Sequence, residues 1–144
     1  MARSGTFNFR DFERIQENLE KLNQEQVDIF IDACAKELAA RLLAKVVKRT
    51  PSTTGVLRRG WTAGKSARDY ANSVNVHHFG DTYQIDIINP TEYASYVEYG
   101  HRTKDHKGWV QGKFMLTISE EEIRQSSPQI LQAKLNKYME DVFK

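Results

Sequence analysis

Residues 89–103 read NPTEYASYVEYGHRT, a short segment in which an extended stretch gives way to a helix and then to a polar, basic run. Asn89 precedes Pro90 and is pushed toward extended backbone, as at the end of a strand. Tyr93, Tyr96, Val97 and Gly100 then recur at three and four residues, so a short helix carries an aromatic and apolar face. Gly100 is a natural left-handed stop. Beyond it the chain turns polar and basic through His101, Arg102, Lys104, His106 and Lys107. A helix this short is not stable alone, so the strand before it and its packing partners must pin it.

Upstream of Asn89 the apolar period is two. Tyr83-Gln84-Ile85-Asp86-Ile87 alternates, as does Ser73-Val74-Asn75-Val76-His77, with Gly80-Asp81 between them. This predicts an antiparallel hairpin with Val74, Val76, Tyr83, Ile85 and Ile87 on one face. A further strand is expected over 59–65. Before it runs TPSTTGVLRRGW, a Ser/Thr/Gly-rich crossing in which Trp61 is expected to anchor against a long helix. That helix opens at Asn23, which with Gln26 forms a capping box, and runs to about Arg49. Its buried stripe is Val27, Phe30, Ile31, Cys34, Leu38, Leu42, Val46 and Val47. Cys34 reads as a small core hydrophobe. Pro51 disfavours helix at Thr50 and ends the element.

The flanks are simpler. Phe12, Ile15, Leu19 and Leu22 predict a first helix over 9–22, capped by Asn8, after a flexible N-terminus at 1–8. Residues 101–113 (HRTKDHKGWVQGK) show no period and read as a mobile loop or extended arm. Phe114, Met115, Ile118 and Ile123 predict a helix. Ser127-Pro128 then reads as the N-cap and first residue of a last one, with Ile130, Leu131, Leu135, Tyr138, Met139 and Val142 inward. The fold class is α+β: one domain over 1–144, with a long N-terminal helix packed on a small antiparallel sheet of two to four strands and C-terminal amphipathic helices.

The chain is 40% hydrophobic with a mean hydropathy of −0.62, and no run approaches the roughly 18 apolar residues of a membrane span. MARSGTFNFRDF lacks the apolar core of a signal peptide. The single Cys34 excludes an internal disulfide and a multi-cysteine zinc site. The net charge of +2 conceals bands: net −3 over 1–40, +8 over 41–68, −5 over 69–100, +3 over 101–113 and −1 over 114–144. Such banding suits head-to-tail subunit contacts or a basic rim facing nucleic acid, while solvated helix surfaces explain the same charges.

The four histidines match no dedicated metal motif, and adjacent His77 and His78 point to opposite faces of a strand. Glu92, Glu98 and His101 invite an acid–base reading, as does a hydrolase or nuclease site built on Glu98, His101 and Asp105. A helix-end ion pair accounts for Glu98 and His101 without a reaction. No serine-nucleophile elbow, phosphate-cradling glycine loop or Cys–His signature is present, so no enzyme and no cofactor is expected.

Two motifs carry a resemblance. Thr50-Pro51, Thr54-Gly55 and Leu57-Arg58 spell TP-x-x-TG-x-L-R, and 93–102 spells YA-x-YVEYG-H-R. In their order and spacing, between a long helix and a last amphipathic helix, they resemble a family of long-tailed bacteriophage proteins called tail-component, neck or tail-completion proteins. The resemblance spans roughly residues 10–142. His101 stands where the usual pattern has threonine, and Gly112-Lys113 where many members have proline before the Phe.

The resemblance implies a non-enzymatic virion structural protein at the head–tail junction. Such a protein forms a ring, expected to be a hexamer, joining the connector or head-completion protein to the tail terminator or tail tube around the DNA channel. Assembly would take place in the host cytoplasm, without a membrane. The expected subunit or partner contacts are Arg58, Arg59, Trp61, Glu98, His101, Arg102, Lys104, Lys107 and Trp109, with Arg58 reaching Glu98 within the subunit or across the ring. Lys45, Lys48, Arg49, Lys65 and Arg68 are expected to face the channel. The alternative is a DNA-binding accessory protein using 41–68.

Overall fold

The computed structural model describes residues 3–8, 20, 22–52, 55–79 and 82–143. In chain order the elements are β1 (Arg3–Asn8), α1 (Gln24–Arg49), α2 (Val56–Gly60), α3 (Ala67–Ser73), β2 (His77–Phe79), β3 (Thr82–Ile88), α4 (Ala94–Tyr99), β4 (Gly100–Arg102), β5 (Trp109–Gln111) and α5 (Met115–Val142). The architecture is α+β, as the sequence predicts. The expected helix over 9–22 falls outside the described residues, apart from Glu20 and Leu22.

Helix α1 opens with the expected capping box. Asn23 Oδ1 accepts from Gln26 N at 2.8 Å, and Gln26 Oε1 accepts from Asn23 N at 3.0 Å. It closes at Thr50, whose extended backbone (ψ 130) fits the residue before a proline. The buried face runs from Phe30 to Val46, including Cys34, and adds Leu43 and three alanines between the larger side chains. Burial pushes the Cys34 thiol up to about 12, which suits an inert core position.

α5 lies antiparallel on α1. At one end Arg49 Nη1 donates to Ser119 Oγ at 3.0 Å. At the other, the Phe30 and Tyr138 rings stack at 5.4 Å and the Tyr138 hydroxyl donates to Gln26 O at 3.3 Å. Ser127-Pro128 does not start a new helix here: α5 runs straight through Pro128. Proline removes the donor that Arg124 O would receive, and the Ser127 hydroxyl takes its place, donating to Arg124 O at 3.0 Å.

β3 is the centre of a three-stranded antiparallel sheet in the order β1-β3-β2. Tyr83, Ile85 and Ile87 alternate inward against α1, as their period of two predicts. β1 is a correction, because residues 3–8, expected as a flexible terminus, pair with β3 from Arg3↔Ile88 to Asn8↔Thr82.

Two expected strands are absent among the described residues. The alternation at 73–77 predicts a strand, yet Ser73 ends α3, and Val74 and Val76 are half-buried in the link to a shorter β2. α3 begins with Ser66 accepting from Asp69 N at 3.1 Å, an N-cap signal present in the sequence as Ser66-Ala-Arg-Asp69. Over 59–65, α2 ends and turns follow. Leu57 and Trp61, four apart, are both buried, which is a helical period.

Trp61 is fully buried, as its expected anchoring role requires. Its Nε1 donates to Thr50 Oγ1 at 2.9 Å, and that hydroxyl donates onward to Val46 O at 2.6 Å. Thr50 thus ties the end of α1 to α2. Thr50→Val removes the hydroxyl while keeping its volume and leaves the indole N–H unpaired. We expect it to cost about 1–3 kcal/mol in urea unfolding, with Thr50→Ser close to wild type. A valine variant as stable as wild type would show that this relay carries no stability.

Candidate docking surface

The surface is built outward from a buried corner. Asn89, fully buried at the end of β3, donates from Nδ2 to Leu57 O at 2.8 Å and accepts Thr91 N on Oδ1 at 3.1 Å. Gly60 makes room for it, since a Cβ there would sit 2.3 Å from Asn89 Oδ1. The chain therefore leaves the sheet in a fixed direction and enters α4.

The inward face of α4 is Ala94, Val97 and Glu98, while Tyr93, Tyr96 and Tyr99 point outward at 41%, 60% and 54% exposure. The periodicity read from the sequence groups Tyr93 and Tyr96 with Val97 and Gly100 on one face; in the structure Val97 and Gly100 turn inward while the two tyrosines are exposed. The cause is Glu98, whose carboxylate is fully buried. Its Oε1 accepts Leu116 N at 2.8 Å, and its Oε2 accepts Thr117 N at 3.0 Å and the Thr117 hydroxyl at 2.8 Å. α5 has no side-chain cap of its own, because Phe114 precedes it in the left-handed region (φ 49, ψ 42). Glu98 supplies the missing acceptors and sets its negative charge at the positive end of the helix dipole. A buried carboxylate is tolerated when such donors surround it.

Backbone contacts complete the junction. Lys113 N donates to Val97 O at 2.7 Å and Phe114 N to Glu98 O at 3.0 Å. Gly112 crosses so closely that a Cβ would lie 2.4 Å from Glu98 O. Gly100 ends α4 at φ 90 and ψ 173, an extended glycine conformation and not the expected left-handed stop.

Residues 101–113, expected as a mobile loop or arm, instead contain the antiparallel pair β4–β5, with His101 opposite Val110 and Arg102 opposite Trp109. The tip is closed by hydrogen bonds: Thr103 N to Gly108 O at 3.1 Å, Gly108 N to Thr103 Oγ1 at 3.1 Å and Lys107 N to Asp105 Oδ1 at 3.0 Å. The Thr103 hydroxyl and the Lys107 amide hold the Asp105 carboxyl below its ordinary value.

Of the expected contact residues, His101, Arg102, Lys104, Lys107 and Trp109 are gathered on this hairpin, and Trp109 is 59% exposed. Arg59 is exposed elsewhere, on α2. Trp61 and Glu98 are interior and present no contact surface. Arg58 does not reach Glu98; its Nε and Nη2 donate to Thr50 O at 3.2 and 2.8 Å, closing the end of α1. Glu98 is likewise withdrawn from His101 and Asp105, so the three form no open acid–base group. Among the described residues no group of three or more His, Cys, Asp or Glu could hold a metal ion.

The sequence reading missed the outward aromatic strip. Tyr96 and His101 lie 5.9 Å apart by ring centroid, and Tyr99 meets Phe114 edge-on at 6.5 Å. The signal was present as tyrosines at 93, 96 and 99, but the same spacing describes a core stripe.

The basic band over 41–68 is largely engaged within the chain. Arg41 and Arg68 bind Glu37, linking α1 to α3, and Lys45 and Arg49 bind Glu122 on α5. The Arg68 hydrogen bond holds the Glu37 carboxyl low, and the Arg49 bond does so for Glu122. Lys48, Arg59 and Lys65 make no ion pair among the described residues.

A family model described as "Bacteriophage HK97-gp10, putative tail-component" matches residues 13–100, more than half of the chain. The chain belongs to this HK97 gp10-like family. The match covers α1 through α4 and reaches Gly100, so the Thr50–Trp61 relay, the Asn89 corner and Glu98 all lie within it. It carries a tail or neck structural role and a place in the virion. No curated protein and no solved structure matches the chain. Among the described residues, no helix is long and apolar enough to cross a membrane.

Glu98 gives the junction its sharpest test. Glu98→Ala leaves the Leu116 and Thr117 amides without an acceptor and should cost about 2–4 kcal/mol, with Glu98→Gln losing less. Hydrogen exchange at those two amides should accelerate more than unfolding alone explains. Unchanged exchange would mean that Glu98 does not cap α5.

Proposed function

We propose that this tail component joins head to tail. It would form a ring, six copies if it follows the symmetry of the tail, between the capsid connector or head-completion protein and the tail terminator or tube, around the path of the DNA. The observation that carries the reading is the exposed face of α4 and the β4–β5 hairpin. Exposed tyrosines and Trp109 stand beside Arg102, Lys104 and Lys107 on a scaffold fixed from within by Glu98. Aromatic side chains with arginine are typical of protein–protein contacts.

The role needs no reaction, and the protein would act in the virion after assembly in the host cytoplasm. DNA would pass the ring by non-specific contact. The basic side chains left for such contact are fewer than the charge band implies, since Arg41, Lys45, Arg49 and Arg68 are paired and Arg58 is bound to Thr50 O. This favours the joining role over a dedicated DNA-binding one.

Phage particles assembled without the protein should give DNA-filled heads and complete tails that remain separate, and purified protein should join them. Intact virions formed without it, or no stable tails at all, would overturn the proposal.

A further inference from the structure

The aromatic strip continues beyond α4. Val110 lies across the β4–β5 pair from His101, whose ring meets Tyr96; Tyr99 meets Phe114, and Ile118 lies one turn further on the same helix face. Val110 and Ile118 are each 44% exposed, so the strip is open along its length. Lys104 and Lys107 at the hairpin tip and Lys113 at its return are exposed beside it and make no ion pair among the described residues.

A second surface carries the opposite character. On the first turns of α1, Glu25, Asp28, Ile29 and Asp32 are spaced three, one and three, so they share one face of the helix. Ile29 is 54% exposed at its centre. Asp32 pairs with Lys36 and Asp28 accepts from Gln24, but Glu25 and Asp28 have no cationic partner among the described residues. An exposed isoleucine ringed by carboxylates complements an aromatic strip flanked by lysines, in both polarity and charge.

The two surfaces cannot meet within one molecule. The strip lies at the N-terminal end of α5, at Phe114 and Ile118. The acidic face lies at the other end, where Tyr138 packs on Phe30 and bonds Gln26 O. The twenty residues from Ile118 to Tyr138 separate the ends by about 30 Å of helix.

We infer that the strip docks on the acidic Ile29 face of a second copy of this chain, head to tail. Two different patches then meet, which leaves one of each open on the growing assembly and allows a ring to close. The inference rests on the joining role for its purpose, but not for its chemistry.

Engineered cysteines test it. Ile29→Cys and Tyr96→Cys both replace exposed side chains, and native Cys34 is buried and stays unreactive. With a short bis-maleimide, the double variant should give a ladder of covalent multimers. An equal mixture of the two single variants should stop at dimer, and neither single variant alone should give dimer. Dimer from either single variant at the level of the mixture, or a double variant that remains monomer, would overturn the docking. Circular dichroism melting checks that each variant is folded. The joining role is read separately with the wild-type protein: joining without a ladder refutes this contact alone, and a ladder without joining refutes the role alone.

Discussion

A carboxylate without a cation holds this molecule in its shape. Glu98 is fully enclosed, and its charge is met by two backbone amides and one hydroxyl at the start of α5. The short helix α4 has too few internal hydrogen bonds to persist alone, and α5 starts from a left-handed Phe114 with no cap of its own. Each supplies what the other lacks. The same contact turns the tyrosines of α4 outward and roots the hairpin between the two helices. Surface and scaffold are therefore consequences of one buried interaction.

The neighbouring end of α1 is organised on similar lines. Thr50 receives Trp61 on its hydroxyl and Arg58 on its carbonyl where α1 stops, so the Thr-Pro break is also the place where α2 is attached. Asn89 then binds α2 to the end of β3. Three polar side chains, Thr50, Asn89 and Glu98, are buried at chain reversals, where backbone groups lack partners. Each is satisfied, so these three buried polar side chains mark joints of the fold.

Much of this was legible in the sequence. The capping box at Asn23 and Gln26, the stop at Thr50-Pro51, the alternation of β3 and the short helix ending at Gly100 are local signals, and the structure follows them. The errors have physical causes. Alternation at 73–77 resembled a strand because a helix end and an extended link also place every second side chain inward. Pro128 did not break α5 because Ser127 replaces the lost donor. The pairing of β1 with β3, and of β4 with β5, depends on partners remote in the chain or on a tip held by side-chain hydrogen bonds. Of the candidate surface, the hairpin residues were anticipated and the tyrosine strip was not, since three-residue spacing does not say which face of a helix is inward. Only the burial of Glu98 decides that.

The proposed role is that of a subunit that works by contact, with an acidic face at one end of the long helix pair and an aromatic strip at the other. The measurement that tests this most directly is an image of the neck of the intact virion at side-chain resolution. The image should show a closed ring of this chain at the head-proximal end of the tail, with Tyr96 of each copy covered by the Ile29 face of its neighbour. Copies distributed along the tail tube, or a ring in which the tyrosine strip faces solvent, would contradict it.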